Sequence, residues 1–277
     1  MSDQAAVQKR AGLAGKVIAV TGAASGIGAS LSRRFACEGA ILGLLDIDES
    51  GARALAAELN AAGTIAAAIR CDVAQETDCA AAIREMIDRF GGIDILVNNA
   101  GITQRGAFTD TLSSVFRKVM EINFFGSLHC TKAAIASLIA RKGMIVVIES
   151  IAGVAPLLGR SGYCASKHAL HGLFATLRSE IGPAGVHVMI VCPGFVETNL
   201  QTRALGGDGQ VTARPQSRVG KQLSPEQVAE AVYKGVLKRR RLLVISPVGK
   251  LTYWLNRFAP VFYERLMAGL LKEELGP

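Results

Sequence analysis

Short β-branched apolar runs alternate along the chain with longer stretches in which apolar residues return at helical spacing. The runs at 16–21 (KVIAVT), 40–46 (AILGLLD), 64–70 (TIAAAIR), 94–100 (DILVNNA), 143–150 (GMIVVIES) and 186–191 (VHVMIV) predict six strands. Their nearly continuous apolarity is that of strands covered on both faces. Segments 26–38, 49–62, 75–90, 111–141 and 161–182, rich in Ala, Leu, Glu and Arg, predict the helices between them. Repeated βαβ units imply an α/β fold, a Rossmann-like doubly wound parallel sheet with right-handed crossovers. After residue 191 the rhythm breaks into a glycine-rich polar stretch, and 195–223 reads as a substrate loop or lid. Ser224-Pro225-Glu226 carries the cap, proline and acid of a helix start, and LLVIS at 242–246 predicts a seventh strand. The chain divides into an arm at 1–13, one Rossmann domain at 14–248 and an amphipathic C-terminal extension at 249–277. In the extension Leu251, Trp254, Leu255, Phe258, Phe262, Leu266 and Leu270 recur around Pro260.

The composition fits one domain with a sizeable core: 277 residues, 50% apolar and 19% charged. The net charge of +8 is uneven, with 22 basic and 20 acidic groups over residues 1–233 but 9 and 3 over 234–277, Lys238-Arg239-Arg240-Arg241 included. That excludes a basic groove for nucleic acid along the whole chain and directs any anionic surface to the C-terminus. Six dispersed cysteines without a C-x-x-C pair read as reduced thiols. The first residues lack an apolar core of ~7–15 residues, and no stretch of ~20 apolar residues follows, so a cytoplasmic location is expected.

Candidate chemistry begins after the first strand, where Thr21-Gly22-Ala23-Ala24-Ser25-Gly26-Ile27-Gly28 opens a helix. Residues without side chains permit a tight turn there, and free N–H groups at the helix start attract a dinucleotide pyrophosphate. Asp46, 18 residues beyond Gly28 at the end of the second strand, is placed to accept the adenosine ribose hydroxyls. A carboxylate there repels a 2′-phosphate, and Ala23 and Ala24 offer no cation, so NAD is expected over NADP. Tyr163 and Lys167 stand four apart on one helical face, an arrangement in which a neighbouring ammonium favours the phenolate and makes the phenol an acid/base. Ser150 ends the fifth strand, at the carboxyl edge where open sheets bind ligands, and is expected to hold the reacting oxygen.

With these residues in place, the chain resembles the short-chain dehydrogenase/reductase family in its single-domain Ser-Tyr-Lys form, over roughly residues 14–200. TGAASGIG resembles its cofactor turn, with Gly22, Ser25, Gly26, Ile27 and Gly28 as contacts, and Asp46 its NAD-selecting acid, with Ile47 beside it. The resemblance implies that Asp72, in Cys71-Asp72-Val73, contacts adenine, with Val73 next to it. Asn98-Asn99-Ala100-Gly101 looks like the motif that steadies the central sheet, with Asn99, Ala100 and Gly101 lining the cofactor. Asn123 matches the asparagine that holds a water linking Lys to solvent; Ser150, Tyr163 and Lys167 match the other catalytic positions. Pro193-Gly194, with Val196 and Thr198, matches the segment beneath nicotinamide. Transfer of the pro-S hydride and a homodimer or homotetramer are further implications. The chain departs from the pattern at Ile148-Glu149-Ser150, where the family has a double serine. Strand alternation turns Glu149 away from the active site, or else its charge acts locally.

Other residues read as structural. His168 and His171 lack a carboxylate partner in sequence, so no metal is expected; Cys164 reads as packing, and His129 and Cys130 as core or interface. The extension has three readings: a docked helix pair, a cap over a lipophilic substrate, or an amphipathic surface on anionic lipid. The expected activity is NAD-dependent interconversion of a secondary alcohol and a ketone. Ile102, Phe108, Val154, Leu157, Leu158, Phe195 and Leu200 are expected to give the substrate pocket apolar walls. The alternative is a non-catalytic NAD-binding sensor or scaffold.

Overall fold

The apolar runs become strands because each can bury aliphatic side chains on both sides, and the helices supply the two covers. The computed structural model describes residues 12–213 and 220–275; most of the arm and the middle of the 195–223 loop lie outside these. Strands β1 (Val17–Thr21), β2 (Ile41–Asp46), β3 (Ala66–Arg70), β4 (Ile95–Asn98), β5 (Met144–Ile148), β6 (His187–Cys192) and a short β7 (Leu242–Val244) pair in parallel in the order β3-β2-β1-β4-β5-β6-β7. The helices are α1 (Gly26–Ala36), α2 (Glu49–Ala61), α3 (Glu76–Phe90), α4 (Ser113–Met120), α5 (Gly126–Ala140), α6 (Ser161–Ile181), α7 (Pro225–Leu237), α8 (Pro247–Phe258) and α9 (Pro260–Leu270).

Period-two alternation divides the core. Ile18, Val20, Val97 and Val146 share one cluster with Leu31, Leu55 and Val232 of α1, α2 and α7. Ala19, Leu96, Ile145 and Ile190 share the other with Ile83, Leu138 and Phe174 of α3, α5 and α6. The chain reverses its winding between β1 and β4, which opens a crevice at their carboxyl ends, where such sheets bind ligands. Ser224 and Gln227 form the reciprocal cap that starts α7, with Pro225 in the first turn.

Two predicted elements differ. The single helix expected over 111–141 contains a widened π turn, Glu121–Phe125, between α4 and α5. Helical periodicity hides one extra residue in a turn, and such bulges gather at functional positions. The extension begins at Pro247, and Ser246 caps it by accepting the Gly249 amide at 2.9 Å. The basic run 238–241 does not share a surface with it. That run precedes β7 at the amino edge of the sheet, where the Arg240 carbonyl meets His187 Nε2 at 2.9 Å and the Arg241 carbonyl accepts from Arg178 at 2.9 Å. No helix among the described residues is long and apolar enough to cross a membrane.

The amino edge is fastened by Asp94, whose buried carboxylate accepts the Val17 amide, the Lys16 ammonium and the Arg141 guanidinium, each at 3.0 Å. Burial disfavours this charge, but the three donors overcome it and hold the carboxyl below its ordinary value. A depressed folded value means stability that is present above the unfolded pKa and lost as pH falls through the folded one. Asp94→Asn is therefore expected to cost about 1–3 kcal/mol at neutral pH. In urea denaturation series, the gap from wild type should close as the medium is acidified.

Candidate active site

Thr21, at the end of β1, organises the crevice. Its hydroxyl donates to the Val97 carbonyl at 3.3 Å and accepts the Asn99 and Ala100 amides at 3.0 Å. The Asn99 carboxamide returns the contact, donating to the carbonyls of Thr21 and Gly22 at 2.9 and 3.1 Å. The two motifs thus hold each other across the switch point. Asn98 instead points into the sheet's cover and donates to Thr131 Oγ1 at 2.9 Å.

The glycine turn fits a pyrophosphate on steric grounds. Gly22 has φ +63°, and a Cβ on Gly28 would stand 2.1 Å from the Gly22 carbonyl, so the helix start meets the turn with no room for a side chain. Asp46 accepts the Ala24 amide at 2.8 Å and the Asp48 amide at 2.9 Å, which aims its carboxylate at the crevice. Asp72 accepts the Ala74 amide at 3.0 Å on the opposite wall. One continuous cavity of about 460 Å³ runs from these acids to Ser150 and Tyr163. All the sequence-designated cofactor and catalytic residues line it except Gly28, packed beneath the turn, and Asn123, which is fully buried.

The catalytic trio comes together on α6 and the end of β5. Lys167 donates from Nζ to the Ile148 carbonyl at 3.0 Å, and the Tyr163 hydroxyl bonds to Ser150. The π turn carries Asn123 inward, where its Oδ1 accepts the Ile102 amide at 2.8 Å and its Nδ2 donates to Ile102 and Ser166 at 3.0 and 2.9 Å. Its side chain therefore fastens α6 to the segment after β4. A Cβ added to Gly101 would lie 3.1 Å from Asn123 Oδ1 and 3.7 Å from Lys167 Nζ, so glycine keeps the space between them open.

The electrostatics correct one expectation. Burial pushes the Tyr163 phenol up to about 12; the Ser150 hydrogen bond and the Arg160 charge oppose it without prevailing. Burial likewise draws Lys167 down to about 8, opposed by Glu149. The ammonium sits 5.7 Å from the Tyr163 ring centre, and its bond goes to the backbone. In this state Tyr163 is an acid holding its proton, not a depressed phenol.

Several working residues were not singled out in the sequence. Gln104 Oε1 accepts the Tyr163 amide at 3.3 Å. Arg160, the residue before α6, is buried, reaches Thr103 at 3.4 Å and lies 3.9 Å from Glu274. Only its place three residues before Tyr163 hinted at it. Glu149, singled out in the sequence as turned away from the active site or else acting locally by its charge, belongs to the cavity's lining, and its buried carboxylate meets His171 and Cys192. Cys164 is buried with its thiol pushed up to about 11 by desolvation, which fits packing rather than nucleophilic chemistry. Cys71, Cys79 and Cys130 bring their sulfurs within 4.8 Å of one another in the core below the adenine wall.

The extension forms the far wall. Asn256 donates to the Val154 carbonyl at 3.0 Å, Tyr263 Oη to the Pro156 carbonyl at 2.8 Å, and the Leu158 amide meets Met267 Sδ at 3.2 Å. Leu255, Tyr263, Met267 and Leu271 face the cavity. Of the expected apolar walls, Ile102, Leu157, Phe195 and Leu200 line it. Val154 and Leu158 instead support the extension, and Phe108 is 72% exposed and stacks edge-on against Phe116.

The pattern of the short chain dehydrogenase family matches residues 16–206. This chain belongs to that family. Among its relatives, "Dehydrogenase/reductase SDR family member 7B" of Xenopus tropicalis is 37% identical over 266 residues, covering 93% of this chain and 86% of the relative. "Dehydrogenase/reductase SDR family protein 7-like" of Anopheles gambiae is 33% identical over 262 residues, covering 92% and 83%. A solved dehydrogenase/reductase from Sinorhizobium meliloti is 32% identical with TM-score 0.74, covering 87% of this chain and 97% of its own. A short-chain dehydrogenase/reductase from Burkholderia phymatum in complex with NAD has TM-score 0.81 at 24% identity, covering 91% and 96%, which supports the same fold.

For this short-chain dehydrogenase the glycine turn gives a steric test. Gly28→Ala should weaken dinucleotide binding by roughly tenfold or more, because overpacking on this scale costs about 1–3 kcal/mol. Calorimetric titration checks the loss, and an unchanged far-ultraviolet circular dichroism spectrum would confine it to the turn.

Proposed function

We propose that this short-chain dehydrogenase interconverts a secondary alcohol and a ketone on a bulky apolar substrate, using NAD in preference to NADP. The observation that carries the reading is that Ser150, Tyr163 and Lys167 line one cavity together, set where the acid-lined cofactor crevice meets an apolar chamber. A bound nicotinamide dinucleotide supplies the hydride acceptor or donor. Gly22, Gly26 and Gly28 would seat its pyrophosphate, Asp46 the adenosine ribose and Asp72 the adenine.

The chain's own residues handle the oxygen and its proton. Ser150, held by the Ala152 amide at 3.1 Å, is positioned to orient the reacting oxygen. Tyr163 transfers the proton, donating it to a ketone oxygen or accepting it from an alcohol. Lys167 and Arg160 place positive charge on either side of the phenol's stretch of α6 and so favour the proton leaving it. Asp46 disfavours a 2′-phosphate by charge, and Ala23 and Ala24 leave that phosphate without a counterion. Complete retention of the proton-handling residues weighs against a purely binding sensor.

Tyr163→Phe should lower kcat by roughly 10²- to 10⁴-fold while leaving the NAD dissociation constant within about twofold. Steady-state rates on polycyclic or long-chain secondary alcohols, together with fluorescence titration of NADH, measure both. Near wild-type turnover would remove Tyr163 from the chemistry.

A second reading concerns the source of the substrate. Trp254 and Phe258 on α8, and Val261 and Phe262 on α9, stand exposed outside the cavity, with Phe258 77% exposed, while Leu251, Leu266 and Leu270 are exposed at the cavity's rim. Trp254 stacks on Phe258 with ring centres 5.6 Å apart. Lys250, Arg257, Arg265 and Lys272 are exposed on this segment, as are Glu264 and Glu273, whereas Glu274 is turned inward toward Arg160. An exposed apolar face on a segment whose exposed charges are in cationic excess, on the helices that wall the chamber, fits an anionic phospholipid surface. The protein should co-sediment with phosphatidylcholine vesicles containing phosphatidylglycerol, and the triple variant Trp254→Ser, Phe258→Ser, Phe262→Ser should remain in the supernatant. Equal recovery of both proteins in the supernatant overturns the membrane reading, as does a dimer that the same triple variant dissociates.

A further inference from the structure

The family's double serine is interrupted here by an acid, and the fold provides that acid with a dedicated chamber. Glu149 lies between Ile148, whose carbonyl receives the Lys167 ammonium, and Ser150, whose hydroxyl meets Tyr163. Its side chain is 0% exposed. Oε1 faces His171 Nδ1 at 3.0 Å, and Oε2 accepts the Cys192 thiol at 2.8 Å. Room for the carboxylate comes from Gly153, where an added Cβ would stand 2.5 Å from Glu149 Cδ. An ionised acid in such a place is costly unless its neighbours compensate, so three independent accommodations mark a built arrangement.

The partners follow the helix repeat. Tyr163, Lys167 and His171 occupy successive turns of one face of α6, so the histidine that holds Glu149 is one turn beyond the lysine and two beyond the phenol. His171 is the exposed end of this line, with a third of its side chain open. The hydrogen bond to Glu149 raises its pKa above the ordinary value, against burial and against Arg178. The titratable groups bearing on Glu149 and its histidine are therefore Lys167, His171, Tyr163 and Arg178 of α6 and Cys192 of β6.

We propose that Glu149 is a positioning residue for the catalytic lysine, holding Lys167 as the ammonium beneath Tyr163, with His171 setting how much negative charge the carboxylate presents. The inference rests on the oxidoreductase reading for its consequence and, for its electrostatics, on the buried carboxylate's place beside the carbonyl that receives Lys167 and on its opposition to the effect of burial on that ammonium. With His171 neutral, a full negative charge faces Lys167; with His171 protonated, the pair is nearly neutral and its hold on the ammonium weakens. The lysine is then sustained most at neutral to alkaline pH, where burial would otherwise discharge it.

The sign is fixed. Burial brings Lys167 down to about 8 while Glu149 raises it, so removing the carboxylate's charge must lower it further. Glu149 also raises the Tyr163 phenol, so that group must fall as well. In Glu149→Gln both limbs of the pH profile of kcat should move toward acid, by about one pH unit, with the substrate KM little changed. In Glu149→Asp they should lie between the two.

A readout independent of turnover separates this inference from the functional one. In cofactor-free protein labelled with ¹³Cε-lysine, the Lys167 resonance should titrate at lower pH in Glu149→Gln than in wild type. In His171→Gln, where the carboxylate keeps its charge, it should titrate at or above the wild-type position. An unmoved Lys167 resonance in Glu149→Gln, or an equal acid shift in both variants, overturns the proposal. Should the resonances behave as stated while no alcohol or ketone is turned over, the electrostatic role stands and the oxidoreductase reading fails. His171→Gln alters a partly exposed side chain, so it serves if Glu149→Gln does not fold.

Discussion

A single hydrogen bond, from the Lys167 ammonium to the Ile148 carbonyl, ties α6 to the end of β5. The chemistry depends on that tie. It sets the helix's rotation, and with it the direction of Tyr163 one turn earlier and His171 one turn later. The strand continues into Glu149 and Ser150, so the same bond fixes where the acid and hydroxyl stand relative to the helix face. Asn123 secures the tie from the other side by linking Ser166 of α6 to the Ile102 backbone. A catalytic group carried by two elements is only as well placed as the joint between them, and here the joint is made with a charge.

Burying that charge has consequences around it. Lys167 and Arg160 are both drawn below their ordinary pKa values by desolvation. The fold answers each with a carboxylate from elsewhere in the sequence: Glu149 for the lysine, and Glu274, at the end of the extension, for the arginine. Tyr163 remains high because its own burial outweighs the Ser150 hydrogen bond and the Arg160 charge. Burial thus holds the proton on the phenol, and added positive charge nearby would favour its release. In an open, solvated cleft the same residues would be screened and the coupling would fade.

The sheet was readable because its signal is redundant: each strand is a largely apolar run, and α1, α2 and α7 pack on one cover and α3, α5 and α6 on the other, divided by alternation. The glycine turn and Asp46 were readable because their demands are local, a backbone too crowded for side chains and an acid at a strand's end. For Glu149 the sequence left two readings open, turned away or acting locally. Alternation governs direction within a strand, but β5 ends at Ile148, and beyond it the chamber at Gly153 decides where the side chain goes. The π turn at Asn123 escaped for a related reason, since one additional residue in a turn leaves the apolar pattern of a long helix nearly unchanged. The basic run before β7 and the apolar rows after it adjoin in sequence but stand at opposite edges of the sheet, because a parallel strand carries the chain from one edge to the other.

That crossing also shapes the extension. It emerges from β7 at the carboxyl edge, beside the active-site crevice, and must cover an apolar chamber with its inner face. Tyr263, Met267 and Leu271 do so on α9, and Leu255 on α8. An ordinary surface helix would then turn polar side chains outward. Here Trp254 and Phe258 on α8 and Val261 and Phe262 on α9 stand exposed outside the cavity, so both helices also carry apolar side chains outward, a character that helices have when they are covered on both sides. Their inner cover is the enzyme's own chamber. No other described residue supplies the outer one; on the proposed membrane reading a lipid surface would supply it, and a lipid-facing wall on the chamber would let an apolar substrate enter without first crossing water.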